Sequence, residues 1–290
     1  MSMSAPPPPS DPGTPARSRS PAPLRNVETV GIVGWGRMGG PMGTFLVTDG
    51  WHVVATDPSE EARALMVAAG AHDAGSLRGV AEQADLVLVV VVDDAQVRQV
   101  FDGILAGARP GTIVAISASV RSDTCRELAA LAAASGVHVI DVALVGGERG
   151  AEQAALKLYC GGDPAVIDAC RRAFATFAID VCAIDDVGSG QVAKTVNNLL
   201  LWACLRADVE ALRLGRALGV DPGKLRAFLS VGSGANRPLA EWGMHRLRWP
   251  GKDMQVALGL AEEAGVSLPL METLAPLIDE LSVSDLKDLR

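Results

Sequence analysis

The fold is decided by Val30-Gly31-Ile32-Val33-Gly34-Trp35-Gly36-Arg37-Met38-Gly39. It reads as G-x-G-x-x-G directly after a β-branched run and at the opening of a helical pattern. Gly34 permits the tight turn, Gly36 lets a pyrophosphate approach the backbone, and Gly39 lets helix and strand pack closely. The helix N-terminus then offers N–H groups and partial positive charge to phosphates. Three glycines in an ordinary strand-to-helix loop is the plainer alternative, but the strand–turn–helix context and an acid at the end of the next strand, Asp57, point to a dinucleotide.

Outward from this loop, strands alternate with amphipathic stretches. Strands are expected at Thr29–Val33, His52–Thr56, Leu86–Val92, Thr112–Ser117, His138–Val142, Leu156–Cys160 and Asp180–Ile184. Helices are expected from Met38 to Thr48, Glu60–Ala69, Asp94–Ile104, Asp123–Ala134 and Pro164–Phe177. Leu86–Val92 is apolar at every position, as a strand covered on both faces must be. The alternation implies right-handed crossovers and an α/β fold, a Rossmann-type doubly wound parallel sheet. After Gly190 the strand signal ends. Gln191–Leu218 reads as one long interdomain helix, followed by Pro222–Leu229, Asp253–Ala264 and Pro269–Leu281, an all-α C-terminal domain. The division is thus 1–26 as a Pro-rich disordered tail, 27–187 as the nucleotide domain, and 188–290 as the long helix plus helical domain. Residues 1–26 carry eight of the seventeen prolines and almost no large apolar side chains, so ordering them would cost entropy with little burial in return.

Charge and cysteines narrow the function classes. The 290 residues hold 26 Lys plus Arg against 34 Asp plus Glu, a net charge of −8. An acidic body argues against a nucleic-acid binder working through phosphate contacts. The seven-residue run Leu86–Val92 falls far short of the ~20 residues needed to span a bilayer, so no membrane partner is expected. The five cysteines lack a C-x-x-C pair and indicate neither a disulfide framework nor a zinc site; the cytoplasm is the expected compartment.

Asp57 lies eighteen residues beyond Gly39, where a carboxylate can accept hydrogen bonds from adenosine ribose hydroxyls and repel a 2′-phosphate. The following Pro58-Ser59-Glu60-Glu61 supplies no cation, so NAD is expected over NADP. The alternative for Asp57 is a helix N-cap. The second informative segment is Gly188-Ser189-Gly190-Gln191-Val192-Ala193-Lys194-Thr195-Val196-Asn197-Asn198. Lys194 and Asn198 share one helix face. Lys194 also lies near the helix N-terminus, where the macrodipole disfavours its charge. Such a lysine could take a proton from a substrate alcohol as hydride leaves. A surface lysine on an amphipathic helix is the plainer alternative.

These residues resemble the β-hydroxyacid dehydrogenase family from about Val27 to Leu281. Gly34-Trp35-Gly36-Arg37-Met38-Gly39-Gly40-Pro41-Met42 looks like its G-x-G-x-M-G-x-x-M opening, and Gly190…Lys194…Asn198 like its catalytic G-x-x-x-K-x-x-x-N. Asp141, Gly146-Gly147, Gly150-Ala151 and Leu156 match its substrate-binding stretch, and Lys252-Asp253 its late K-D pair. The resemblance implies Lys194 as general acid/base, Asn198 as a substrate hydrogen-bonding residue, and Gly146-Gly147 in the substrate carboxylate pocket. It puts Val91, Val92 and Ser119, largely through their backbone, and Lys252 near the nicotinamide, and counts Arg37 and Met38 of the glycine loop among the cofactor-binding residues. It further implies a small-molecule substrate and a homo-oligomer, a dimer or tetramer, assembled through the helical domain.

Departures matter as much. Ala143-Leu144-Val145 stands where the family has Pro-Val-Ser, so Val145 replaces a hydroxyl that contacts the substrate carboxylate. A charged oxygen left without that partner costs roughly 1–3 kcal/mol, which favours a substrate less polar there or a compensating cation such as Arg237, His245 or Arg246. Phe45 replaces a usual Asn, Trp35 is bulkier than expected, and the stretch from Asn198 to Lys252 is shorter than the family's. Two rivals follow. Imine-reductase-like C=N reduction is disfavoured because those relatives place Asp or Tyr at the lysine position and prefer NADP. A non-catalytic NAD-binding module is disfavoured by the retained Lys194 and Asn198.

Overall fold

The computed structural model describes residues 22–244, 247–248 and 250–290. Eight strands form one sheet: β1 (Thr29–Val33), β2 (His52–Thr56), β3 (His72–Asp73), β4 (Leu86–Val89), β5 (Ile113–Ile116), β6 (His138–Val145), β7 (Leu156–Gly161) and β8 (Ala178–Ala183). Their order is β3-β2-β1-β4-β5-β6-β7-β8, and β1 to β6 run parallel. The order reverses between β1 and β4, and ligands of such sheets bind at the carboxyl ends of the strands flanking that point.

Helices α1 (Gly39–Thr48), α2 (Glu60–Ala68), α3 (Leu77–Gln83), α4 (Asp94–Leu105), α5 (Ser122–Ala133), α6 (Gly147–Glu152) and α7 (Pro164–Phe174) accompany the sheet. The continuous apolar run is explained by two cores. Leu86 and Leu88 of β4 join Met42, Leu46 and Phe174 on one face, whereas Val87 and Val89 join Val97, Phe101 and Leu128 on the other. Alternate side chains of one strand therefore meet helices on opposite sides. β4 stops at Val89, so Val91 and Val92 lie in the loop beyond it rather than in the strand expected to reach Val92.

The sheet departs from the all-parallel expectation at β7, which pairs antiparallel with β6. Only residues 146–155 connect them, and a parallel return needs a crossover of a dozen or more residues. The described residues reach back past Val27 to Ala22. Arg25 Nε donates to Asp85 Oδ1 at 2.9 Å, and His138 Nε2 lies 3.0 Å from the Ala22 carbonyl. The rest of the expected tail, 1–21, lies outside the described residues.

The 29-residue helix α8 (Ser189–Ala217) leads into α9 (Pro222–Leu229), α10 (Arg237–Ala240), α11 (Pro250–Glu263), α12 (Pro269–Asp279) and α13 (Val283–Asp288). Trp202, Leu205, Val209 and Leu212 of α8 form its own core with Trp242, Met254, Ile278 and Leu286. Trp202 and Trp242 are thus packing residues. No helix among the described residues is long and apolar enough to cross a membrane.

Candidate active site

The glycine loop closes the turn from β1 to α1 at the switch point. Gly34 has φ +100°, and a Cβ there would overlap the Val90 carbonyl of the neighbouring loop. A Cβ on Gly39 would overlap the Gly34 carbonyl, whereas one on Gly36 would meet nothing within 4 Å. So Gly34 and Gly39 serve the turn and the packing, and Gly36 leaves bare backbone facing open space. No side chain caps α1 at Met38. The Gly40 N–H donates to the Gly36 carbonyl at 2.8 Å, so the turn uses one donor of the helix start, whose partial positive charge still favours an anion. Trp35 turns inward (5% exposed), and its ring fills the space that Gly43 leaves on α1. A groove of about 630 Å³ beside the loop is lined by Gly36, Arg37, Ser59, Glu61 and Leu65, among others. A backbone-lined cradle with this groove beside it fits a dinucleotide.

Asp57 is bonded to two residues that line the groove, Trp35 and Ser59. Its Oδ2 accepts the Trp35 N–H and its Oδ1 the Ser59 N–H, each at 2.8 Å. The N-cap of α2 is Ser59, not Asp57, since the Ser59 hydroxyl accepts from the Ala62 N–H. Each Asp57 oxygen keeps a lone pair for a further donor. One cation escaped the sequence reading: Arg63 Nη1 donates to the Asp57 carbonyl at 2.9 Å, and its Nε lies 3.7 Å from Asp73. The guanidinium is thus held by the chain beneath Asp57.

The second half of the site is built on the start of α8. Asp141, fully buried on β6, accepts the N–H groups of Gly188 (2.5 Å) and Gln191 (2.8 Å) and fixes where the helix begins. Burial pushes its carboxyl up, and those backbone donors oppose the shift. Asp141 is therefore a cap for α8, although its sequence position matches a substrate-binding stretch. One turn on, Lys194 Nζ donates to Ser119 Oγ at 2.6 Å. Burial is the main cause that pushes the Lys194 amine down to about 8; the Asp253 carboxylate opposes this and Lys252 adds to it. Asn198 Nδ2 donates to Asp253 Oδ2 at 3.1 Å, and Trp202 Nε1 donates to the same oxygen at 2.9 Å. The α11 start thus holds Asn198 on the Lys194 face.

The structure brings together Lys194, Ser119, Asn198 and the Lys252-Asp253 pair. Separately, Gly34, Gly36, Met38 and Gly39 join Asp57, with Val91 Cγ1 3.6 Å from where a Gly34 Cβ would stand. Arg37 bridges to the Gly146-Gly147 segment through Glu148, 3.3 Å away. Val92 is exposed, its N–H donating to Gln96. Val145 ends β6 with Lys157 as its register partner. Arg237, weighed as a compensating cation, pairs with Glu241 on an exposed helix face. His245 and Arg246 lie outside the described residues, but Arg248 reaches the Glu148 carboxylate from the helical half. Sequence reasoning missed Arg248 and Glu148, and also Gln191, which stands three residues before Lys194 on the same helix face and could have been found by that spacing.

This combination of a dinucleotide cradle with a depressed lysine on the long helix is that of a nicotinamide-dependent oxidoreductase, and the comparisons agree. Residues 29–187 match the NAD binding domain of 6-phosphogluconate dehydrogenase, and 188–289 match the NAD-binding domain of NADP-dependent 3-hydroxyisobutyrate dehydrogenase. A probable mitochondrial 3-hydroxyisobutyrate dehydrogenase of Dictyostelium discoideum is 32% identical over 71% of this chain and 65% of its own length. An NAD-dependent L-serine dehydrogenase of Pseudomonas aeruginosa is 31% identical over 78% of this chain and 75% of its own. The solved 3-hydroxyisobutyrate dehydrogenase of Mycobacterium tuberculosis with L-serine superposes with a TM-score of 0.83 at 26% identity, covering 91% of this chain and 99% of that one. The chain belongs to the β-hydroxyacid dehydrogenase family, NAD(P)-dependent enzymes acting on CH–OH groups.

Proposed function

We propose that this enzyme interconverts a small β-hydroxyacid and its carbonyl partner, with Lys194 as general acid/base and NAD preferred over NADP. The observation that carries the reading is the Lys194 amine, hydrogen-bonded to Ser119, pushed down to about 8 and one turn from Asn198. When bound, the dinucleotide supplies the hydride acceptor. Gly34, Gly36, Arg37, Met38 and Gly39 would hold its phosphates and Asp57 its ribose, with Val91, Val92 and Lys252 toward the nicotinamide. Gly146 and Gly147, both exposed, would receive the substrate carboxylate, and Val145 would face an apolar substituent. That relatives of this chain act on 3-hydroxyisobutyrate and L-serine supports the substrate class. A homo-oligomer is supported by Val192, Val196 and Leu200, 40–55% exposed on the α8 face away from Lys194. A cytoplasmic setting suits five unpaired thiols.

The pH dependence tests this. Oxidation needs the free amine, so kcat/KM should climb about tenfold per pH unit below a break near 8 and level above it. Reduction needs the ammonium and should fall above the same break. A break near the ordinary lysine value of about 10.4 would remove Lys194 from the role.

The cofactor preference is tested separately. A 2′-phosphate beside the Asp57 carboxylate is opposed by about 1–2 kcal/mol or more, so kcat/KM should favour NAD roughly tenfold or more. Asp57→Ala should narrow that ratio. Higher kcat/KM with NADP in the unmodified enzyme would overturn the assignment.

A further inference from the structure

Ser119 lies in the loop between β5 and α5. Its neighbours Ala118 and Val120 are buried (2% and 9% exposed), while Ser119 itself is exposed. Gln191, 3% exposed on α8, grips the backbone on both sides of it: Nε2 donates to the Ala118 carbonyl at 2.8 Å, and Oε1 accepts the Val120 N–H at 3.3 Å. An amide that spends both ends on the two residues flanking a serine fixes that serine's backbone relative to the helix. Lys194, three residues along the same helix face, then meets the serine hydroxyl rather than bulk water. The hydroxyl contributes nothing to packing, so burial does not account for its placement.

Resting on the reading of Lys194 above, we propose that Ser119 is a catalytic residue that relays the proton between the substrate oxygen and Lys194. In the oxidation direction the substrate O–H bond breaks as its proton passes to Ser119 Oγ. The serine's own proton passes to the unprotonated Lys194 Nζ, forming an N–H bond. The C–H electron pair leaves as hydride to the nicotinamide, and the C–O bond becomes C=O. Serine ends as it began, and the lysine ends as ammonium. A hydroxyl suits this task because it donates and accepts at once, whereas an ammonium only donates. Gln191 is a positioning residue for this relay.

Ser119→Ala in the full-length enzyme tests the proposal. We expect kcat to fall about 100-fold, the lower end of the range for a lost proton-transfer group, with dinucleotide affinity in titration calorimetry unchanged within twofold. Ser119→Thr, which keeps the hydroxyl, should recover to within about fivefold of the unmodified enzyme. In H2O/D2O mixtures the unmodified enzyme should give a curved proton inventory, two protons being in flight, and Ser119→Ala a linear one. In the protein without dinucleotide, the pH dependence of Lys194 acylation should move to lower pH in Ser119→Ala, because the ammonium loses its acceptor. If Ser119→Ala keeps kcat within threefold while Lys194→Ala is inactive, the relay is wrong and Lys194 acts directly. If Lys194→Ala also keeps its activity, the fault lies in the assignment of Lys194 itself.

Discussion

Lys194→Ala is expected to lower kcat by about 10³- to 10⁴-fold in both directions, the upper part of the range for losing a general acid/base. The neighbouring Asp253 carboxylate already accepts from Asn198 and Trp202. Asn198 does not titrate in the working range, and its amide is committed to Asp253. Dinucleotide affinity should stay within about threefold, since the glycine loop and Asp57 belong to the other half of the site. Stability gives an independent control. A lysine whose folded pKa is depressed releases its proton more readily folded than unfolded, so below about pH 8 its charge weighs against the fold. As pH rises from about 8 toward 10.4 that cost disappears, because the unfolded chain binds the extra proton. At neutral pH the alanine variant should therefore melt no lower than the unmodified protein, apart from the packing lost with the lysine stem. A variant that folds, binds NAD and turns over within tenfold of normal would refute the role.

What the sequence disclosed, and what it concealed, follows from how far each signal extends along the chain. The doubly wound half was legible because β1, β4 and β5 are short β-branched runs between amphipathic helices, and α8 because its apolar period persists for eight turns. β3, two residues long, and α3, α6, α10 and α13, four to seven residues each, are too short to display a period. The antiparallel β7 turns on connection length, which the strand pattern itself does not encode. At the site, Lys194, Asn198 and the glycine loop were visible because spacing alone puts them together. The bonds from Gln191 to Ala118 and Val120 span 73 and 71 residues, and the Arg248–Glu148 pair spans 100. Only the folded chain brings such partners within reach. Arg63 lies beyond the Pro58–Glu61 stretch that adjoins Asp57 in sequence, and one more half-turn of α2 returns its side chain to the Asp57 carbonyl.

The same distinction predicts a large structural effect at Asp141. Asp141→Ala is expected to cost roughly 2–4 kcal/mol in urea unfolding, because the Gly188 and Gln191 N–H groups would lose their acceptor in a site closed to water. The surroundings leave no easy repair. A Cβ at Gly161 would crowd Asp141 Oδ1 and one at Gly190 would crowd Oδ2, so the backbone is already packed around the carboxylate. The cavity left by alanine is lined by glycines that bring no side chain into it. Asp141→Asn should be milder. It keeps one accepting oxygen and sheds the cost of a buried charge, the same burial that pushes the Asp141 carboxyl up. Because Lys194 rides on the helix that Asp141 starts, the alanine variant should also lose kcat. The pH break should move back toward the ordinary lysine value as the helix start loosens and water reaches the amine. A stability within 1 kcal/mol of the unmodified protein, or a kcat loss with the break unmoved from about 8, would mean that α8 is positioned by its packing on β6 and β7 and that Asp141 is dispensable as its cap.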